Sequence, residues 1–455
     1  MLRGPRRIIP PMTSADSLTQ TAPLAASIER LRSGAVDLAT HIDAICDRLE
    51  AIEQRVRAFV PEAGRRERLH DAAAVIERTW PTPETRPPLY GVAIGVKDIF
   101  GVDGLPTRGG SMVPPEALAM PQADVVSALL GAGALIVGKT VTTEFAALDP
   151  GPTANPHDPR RTPGGSSSGS AAAVAVGTAQ LALGSQTVGS VIRPAAFCGV
   201  VGFKPSYGRI ATTGMLYYSR SVDHIGLFAQ DVEGLQVAAA VTIADWRGSP
   251  DAPSPVLGVP DGAYLEQADP AGLEGFDAAL ARLAKAGVEV RRVPLLDDIA
   301  EINRRHSALT LAEFGTEHAE RFAKYGGFYR PRNATNMDRA REQAPDAAED
   351  GRAGRAALRE QLNAAMSEHG IDLWASPSAT GPAPLGLDAT GNPIMNLPWT
   401  HSGVPTVTLP ANRAEGVPLG LQLSGRFGAD ETLLVQAARL QPLLGLGPGA
   451  GVALD

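Results

Sequence analysis

Short apolar segments alternate with stretches of helical periodicity along most of this chain, and that alternation restricts the fold more than any other feature. GVAIGVKDIF and its preceding Tyr90 run from 90 to 100 as a buried strand with a charged end, and ALIVGKT (134–140) is a second short buried strand. Further strands are expected near 181–184, 255–259 and 287–293 and in IDLWASPS, VPTVTLP and PLGLQLSG. Between them lie helical patterns near 121–133, from 168, at 230–244 and 272–286, and in ETLLVQAARLQ. Strands separated by helices predict an α/β fold with a mixed, mostly parallel twisted sheet covered by helices on both faces. Apolar spacing over 24–58 predicts two helices broken near Ser33-Gly34, with a third over 67–79 and a proline-marked loop from Pro81 to Pro88. Residues 300–370, rich in Ala, Arg and Glu, predict a helical subregion. With no linker visible, 24–455 is expected to be one domain. The basic segment 1–23 is read as a disordered arm, with Met1 or Met12 as the start.

Composition removes several function classes. The net charge is −8, with 41 Lys plus Arg scattered rather than striped, so nucleic-acid binding has no electrostatic footprint. No apolar window reaches the length of a membrane span, and none of signal-peptide length follows the N-terminus. A cytoplasmic location without membrane contact is therefore expected. Cys46 and Cys198 are too few for a disulfide framework, and the eight histidines show no metal-ligand spacing. No metal and no cofactor are expected.

Two glycine-serine elements stand between apolar segments, TPGGSSSGSAAAVAVG from 162 and GSQTVGSVIRPAAFCG from 184. The first runs straight into an Ala/Val stretch that packs, so it is not a flexible linker. Acyl transfer needs a nucleophile, a base and donors for an oxyanion. The serine elements contain no histidine, and His157 precedes them without a tie to any serine. Lys97, at the end of an apolar strand, is the alternative base, because burial favours the neutral amine that accepts a proton. The competing reading pairs Lys97 with Asp98 or another carboxylate. Ser168 and Ser170 are read as helix N-caps, Cys198 as core, and Arg193 either as a brace for the second element or as a surface ion-pair partner.

GVKDIFGVDGLPTRGGS, TPGGSSSGSAAAVAVG and GSQTVGSVIRPAAFCGVVGFKPSYGRI, in that order, resemble the amidase signature family, whose members hydrolyse amide-type C–N bonds with a Ser–cis-Ser–Lys triad. GKTVTTEF (138–145), SVDHIG (221–226) and VPLGLQLSG extend the likeness over roughly 24–442. The resemblance implies Lys97 as base and Ser166 as the bridging serine, joined to Gly165 by a cis peptide. It implies Ser190, 24 positions after Ser166, as nucleophile. The backbone N–H groups of Thr187, Val188, Gly189 and Ser190 take the oxyanion role, and Ser167 supports the site. Where the family usually reads DTGGSIR, this chain reads QTVGSVIR, so Gln186 replaces an acid and Val188 a glycine. Val188 can still offer its N–H if its φ stays negative.

Val141, Ile225, Met395 and Trp399 are candidate pocket walls, and their apolar character points to an apolar substrate. A small-molecule amide or carbamate is expected, from a general likeness to urethanase and aryl acylamidase members; a homodimer is left open. One alternative is the glutaminase-like A subunit of a tRNA-dependent amidotransferase, which requires a partner subunit. Another is a non-catalytic binding protein on the same fold, against which the intact Lys97, Ser166 and Ser190 argue.

Overall fold

The computed structural model describes residues 18–248 and 252–446. Ten strands form one sheet: β1 (Ala93–Lys97), β2 (Leu135–Thr140), β3 (Leu181–Gln186), β4 (Val201–Lys204), β5 (His224–Ala229), β6 (Leu257–Asp261), β7 (Val290–Pro294), β8 (Leu373–Pro377), β9 (Thr406–Ala414) and β10 (Val417–Ser424). Their order is β2-β1-β3-β5-β4-β9-β10-β8-β6-β7. The α/β class and the mixed sheet agree with expectation. Parallel pairing is confined to the flanks, in β2-β1-β3 and β8-β6-β7, while every pair between β3 and β8 is antiparallel. The parallel share is thus smaller than the sequence pattern suggested. Strands β4 and β5 account for the difference, because nothing in the sequence reading marked them.

Each carries a glycine, Gly202 in β4 and Gly226 in β5; β4 has only four residues, which weakens a strand signal, whereas β5 is as long as β2 and β3. The glycines are needed by close approach: a Cβ on Gly226 would lie 2.6 Å from Val191 Cγ2 and 2.8 Å from the Phe203 carbonyl. The short helix Ile192–Cys198 also went unmarked, since it holds barely two turns.

All residues of β1, β2 and β3 are buried, as in strands covered on both faces. Leu181 and Leu183 join a large core with Leu235 and Leu433 from the helices Val232–Thr242 and Asp430–Leu440. Ala182 faces the other way, into a core with Ala171–Ala175 of the helix Ser168–Ala175 and Ala195 of Ile192–Cys198. Helices Leu24–Ser33, Leu38–Val56 and Arg65–Thr79 match the expected pair and third helix. The helical subregion comprises Ile299–Tyr325, Pro331–Arg341 and Ala347–Glu368.

Residues 1–17, including both candidate starts, lie outside the described residues. Residues 18–23, expected within a disordered arm, are tied down instead. The N–H groups of Leu18, Gln20 and Ala22 donate to the Pro156 and Ala175 carbonyls and to Gln230 Oε1.

The helix Ser168–Ala175 presses against the neighbouring backbone at Gly169, where a Cβ would stand 2.1 Å from the Ala58 carbonyl oxygen and 2.4 Å from Val141 N. Gly169→Ala is expected to lower unfolding free energy by at least about 2 kcal/mol, as overpacking against unyielding backbone does. Urea unfolding followed by circular dichroism measures it.

Candidate active site

Lys97 is the last residue of β1 and is wholly buried. Its Nζ donates to Ser166 Oγ at 2.7 Å and to Ser185 Oγ at 2.8 Å. Burial drives its pKa down from 10.5 to about 7, opposed by the charge of Asp223. Asp98 does not pair with it. Asp98 instead holds Lys139 at 2.9 Å and accepts the Arg108 N–H, so the pairing of Lys97 with Asp98 does not hold. Ser185, on β3 beside β1, was missed by the sequence reading; its position one residue before the flagged Gln186 was the available signal.

Ser166 follows a cis peptide with Gly165. Ser167 Oγ donates to the Ser185 carbonyl and accepts the Ser185 N–H, at 3.2 and 3.3 Å. Ser168 and Ser170 are not N-caps: their hydroxyls donate to the Gly164 and Leu183 carbonyls, each at 2.8 Å. These bonds stitch the turn to β3. Its first serines face strands rather than solvent, so their hydroxyls find carbonyl acceptors there.

Ser190 lies in the loop from β3 to the helix Ile192–Cys198 and is 8 % exposed. Its hydroxyl bonds to none of the described residues, which leaves it open to a substrate. The two serine segments touch, since a Cβ on Gly164 would lie 2.7 Å from Pro194 Cα. Arg193 joins them: Nη2 donates to the Gly165 carbonyl at 2.6 Å and to Thr390 Oγ1 at 3.1 Å, while Nη1 reaches the Gly391 carbonyl. Arg193 is therefore a buried brace, not a surface ion-pair partner. Burial lowers its pKa to about 9.

The loop 187–190 presents the expected donors. Among the described residues no acceptor is bonded to the N–H of Val188, Gly189 or Ser190. Val188 does not have a positive φ. The Thr187 hydroxyl donates to Asp223 Oδ1 at 2.5 Å, and Asp223 Oδ2 accepts the N–H groups of Tyr218 and Ser219. Burial lifts the Asp223 pKa to about 6.

Of the four candidate walls, Val141 borders a cleft. That cleft, of about 990 Å³, is also lined by Phe59, Arg57, Arg108, Met112, Arg330, Leu387 and Asp388. It adjoins the serine turn through Thr142, whose neighbour Thr143 donates its N–H to the Ser166 carbonyl at 3.2 Å. Ile225, Met395 and Trp399 are core. Ile225 is clamped in β5 opposite Ser185. Trp399 Nε1 donates to the Tyr264 hydroxyl at 2.8 Å, and that hydroxyl donates to the Met395 carbonyl at 2.7 Å. A large aromatic whose only polar atom is satisfied internally has no face left for a ligand. The cleft beside Val141 carries more charged side chains than the four candidate walls had suggested.

With the geometry in place, relatives can be compared. The amidase family model matches residues 40–434, and the chain belongs to that family of amide-cleaving hydrolases. It is 32 % identical over 407 residues to the A subunit of the glutamyl-tRNA(Gln) amidotransferase of Halobacterium salinarum, covering 78 % of this chain and 96 % of the relative. The corresponding A subunit of Koribacter versatilis is 37 % identical over 270 residues, 54 % of this chain and 56 % of that one. Among solved structures, an amidase crystal structure superposes with TM-score 0.83 at 31 % identity, covering 92 % of this chain and 99 % of that one. A chain solved in work on a vestigial protein complex and an s-triazine catabolic enzyme superposes with TM-score 0.82 at 27 % identity, over 94 % of this chain and all of that one.

Two measurements test the site. First, a base with a pKa of about 7 requires the acylation rate to rise with pH around a midpoint near 7. Between pH 10.5 and 7 the unfolded chain binds the Lys97 proton and the folded chain does not, so wild-type stability falls on acidification through that window. Lys97→Met removes this dependence; its Tm advantage over wild type grows from pH 10 to 7 and then levels. Second, Tyr264→Phe strands the Trp399 N–H and takes from the Met395 carbonyl the shorter of its two bonds, leaving Gln422 Nε2 at 3.2 Å. It is expected to cost about 1–3 kcal/mol in urea unfolding with KM unchanged, as core rather than pocket residues would.

Proposed function

We propose that this chain cleaves a carboxamide C–N bond through an acyl-enzyme on Ser190, with Ser166 relaying the proton to neutral Lys97. The observation that carries this is the buried Lys97 amine, held against Ser166 at 2.7 Å with a pKa near 7. An amine that is half neutral at physiological pH accepts a hydroxyl proton without being locked as an ion pair. Ser190 Oγ attacks the carbonyl as its proton passes to Ser166 and that of Ser166 to Lys97. The N–H groups of the 187–190 loop take the oxyanion. The relay then reverses to protonate the departing amine, and water hydrolyses the Ser190 ester by the same route.

For the substrate, a primary carboxamide that releases ammonia has the most support. The relatives at 32 % identity over 78 % of this chain are amidotransferase A subunits. Arg57, Arg108 and Asp388 line the cleft with side chains bonded to no other described residue, which suits a substrate carrying both charges, such as glutamine. On this reading a partner subunit belongs to the functional enzyme, as the relatives' own name as subunits suggests. Carbamate or anilide cleavage is the second reading, favoured by Phe59, Met112, Val141 and Leu387 along the same cleft.

A panel of glutamine, a simple primary amide, an anilide and an alkyl N-aryl carbamate, with Ser190→Ala as blank, separates them. Ammonia release from glutamine well above the anilide and carbamate rates is expected. Faster carbamate or anilide turnover would replace the first reading by the second. Wild-type turnover by Ser190→Ala would remove the nucleophile assignment itself.

A further inference from the structure

The residue that departs most from the family motif, Gln186, is also the most fully engaged side chain at the nucleophile loop. It is the last residue of β3 and wholly buried. Its Oε1 accepts the N–H groups of Val191 at 2.7 Å and Ile192 at 3.0 Å. The helix Ile192–Cys198 has no side-chain cap of its own, so Gln186 supplies that acceptor from a distance. Its Nε2 donates to Thr400 Oγ1 at 2.8 Å, and the Thr400 hydroxyl donates onward to the Val188 carbonyl at 2.6 Å. A hydroxyl has one proton; the Asn396 carbonyl also lies within reach at 3.1 Å, and the shorter contact, 2.6 Å, assigns that proton to Val188.

Pinning the Val188 carbonyl has a consequence on the other side of the same peptide unit. The only cis peptide among the described residues is Gly165-Ser166, so the 188–189 unit is trans and planar. Its N–H, that of Gly189, therefore points opposite to its carbonyl. That N–H is one of the unbonded donors of the loop. The next unit is held the same way, since the Gly189 carbonyl accepts the Arg193 N–H at 3.0 Å and so orients the N–H of Ser190. The loop is packed closely at residue 189: a Cβ there would stand 2.2 Å from Asn396 Oδ1, just before the helix that carries Thr400.

We propose that Gln186 and Thr400 form a directional hydrogen-bond relay, amide N–H to hydroxyl to Val188 carbonyl, that aims the Gly189 N–H at the oxyanion. Gln186 is thus a positioning residue whose amide donor, and not merely its acceptor, is required. An acid at 186 can still accept from Val191 and Ile192. It cannot donate to Thr400, whose hydroxyl then turns to the carboxylate and releases Val188. This inference rests on Ser190 being the nucleophile.

The test compares Gln186→Glu, Thr400→Val, Thr400→Ser and their wild type, using the acylation burst with p-nitrophenyl acetate and the rate of phosphonylation by a fluorophosphonate. Ser190→Ala serves as the blank for both probes. Loss of one aimed donor is worth roughly 10²-fold in rate. Gln186→Glu and Thr400→Val are each expected to slow both reactions by about that factor, with the probe concentration at half-saturation unchanged. The double variant should be no slower than Thr400→Val alone, because both break one relay. Thr400→Ser, which keeps the hydroxyl, recovers most of the rate and separates lost aim from lost folding. Gln186→Glu within threefold of wild type, a Thr400→Ser as slow as Thr400→Val, or additive losses would overturn the relay. Labelling of Ser190→Ala at the wild-type rate would instead overturn the nucleophile on which it depends.

Discussion

Burial of the Lys97 amine is the constraint around which the rest of the site is arranged. An ammonium wholly removed from water is costly unless paired, and a neutral amine is not. The fold gives it two hydroxyls, Ser166 and Ser185, rather than a carboxylate. The adjacent acid is diverted to Lys139, on the neighbouring strand β2. The other nearby acid, Asp223, has its oxygens occupied by Thr187, Tyr218 and Ser219 and is itself pushed toward the neutral form by burial. The result is an amine poised near neutrality, which a direct Lys97–Asp98 ion pair would have prevented.

Around that amine the two serine segments are fixed by polar struts rather than by apolar packing alone. Arg193 binds the Gly165 and Gly391 carbonyls and Thr390, so two distant chain segments converge on one guanidinium. Among the described residues no carboxylate neutralises it, and its depressed pKa is the expected outcome of a buried cation satisfied by neutral acceptors. Gln186 performs the corresponding task on the other side of Ser190. Such struts use directional bonds to set the angles of a loop, which non-directional packing cannot do.

Much of this was legible in the chain itself. The order Lys97, Ser166, Ser190 is carried by local motifs in which glycine allows tight turns and close backbone approach, and these survive without knowledge of the fold. The alternation of apolar runs and helical spacing likewise revealed β1, β2, β3 and the flanking helices, because burial on both faces leaves a continuous apolar run. β4, with four residues, left too short a run, and with β4 and β5 unmarked the antiparallel pairing around them escaped notice. The pocket walls were the weakest inference. Met395 and Trp399 are as apolar as any ligand-facing residue, and only the Tyr264 hydroxyl that satisfies both their polar neighbours shows that they are core.

The amino-acid sequence alone therefore determined the fold class and the family and singled out the three residues proposed for the chemistry, since each is written in a local pattern of residue types at fixed spacing. Tertiary structure decided everything that depends on partners distant along the chain. It set which acid faces Lys97, as β1 lies between β2 and β3. It buried Ile225, Met395 and Trp399 in the core and left Val141 beside a cleft bordered by Arg108, Arg330 and Asp388. It also joined Gln186 to Thr400, 214 residues apart. A hydrogen bond is a matter of ångströms and angles between groups that folding brings together, and a linear pattern carries neither.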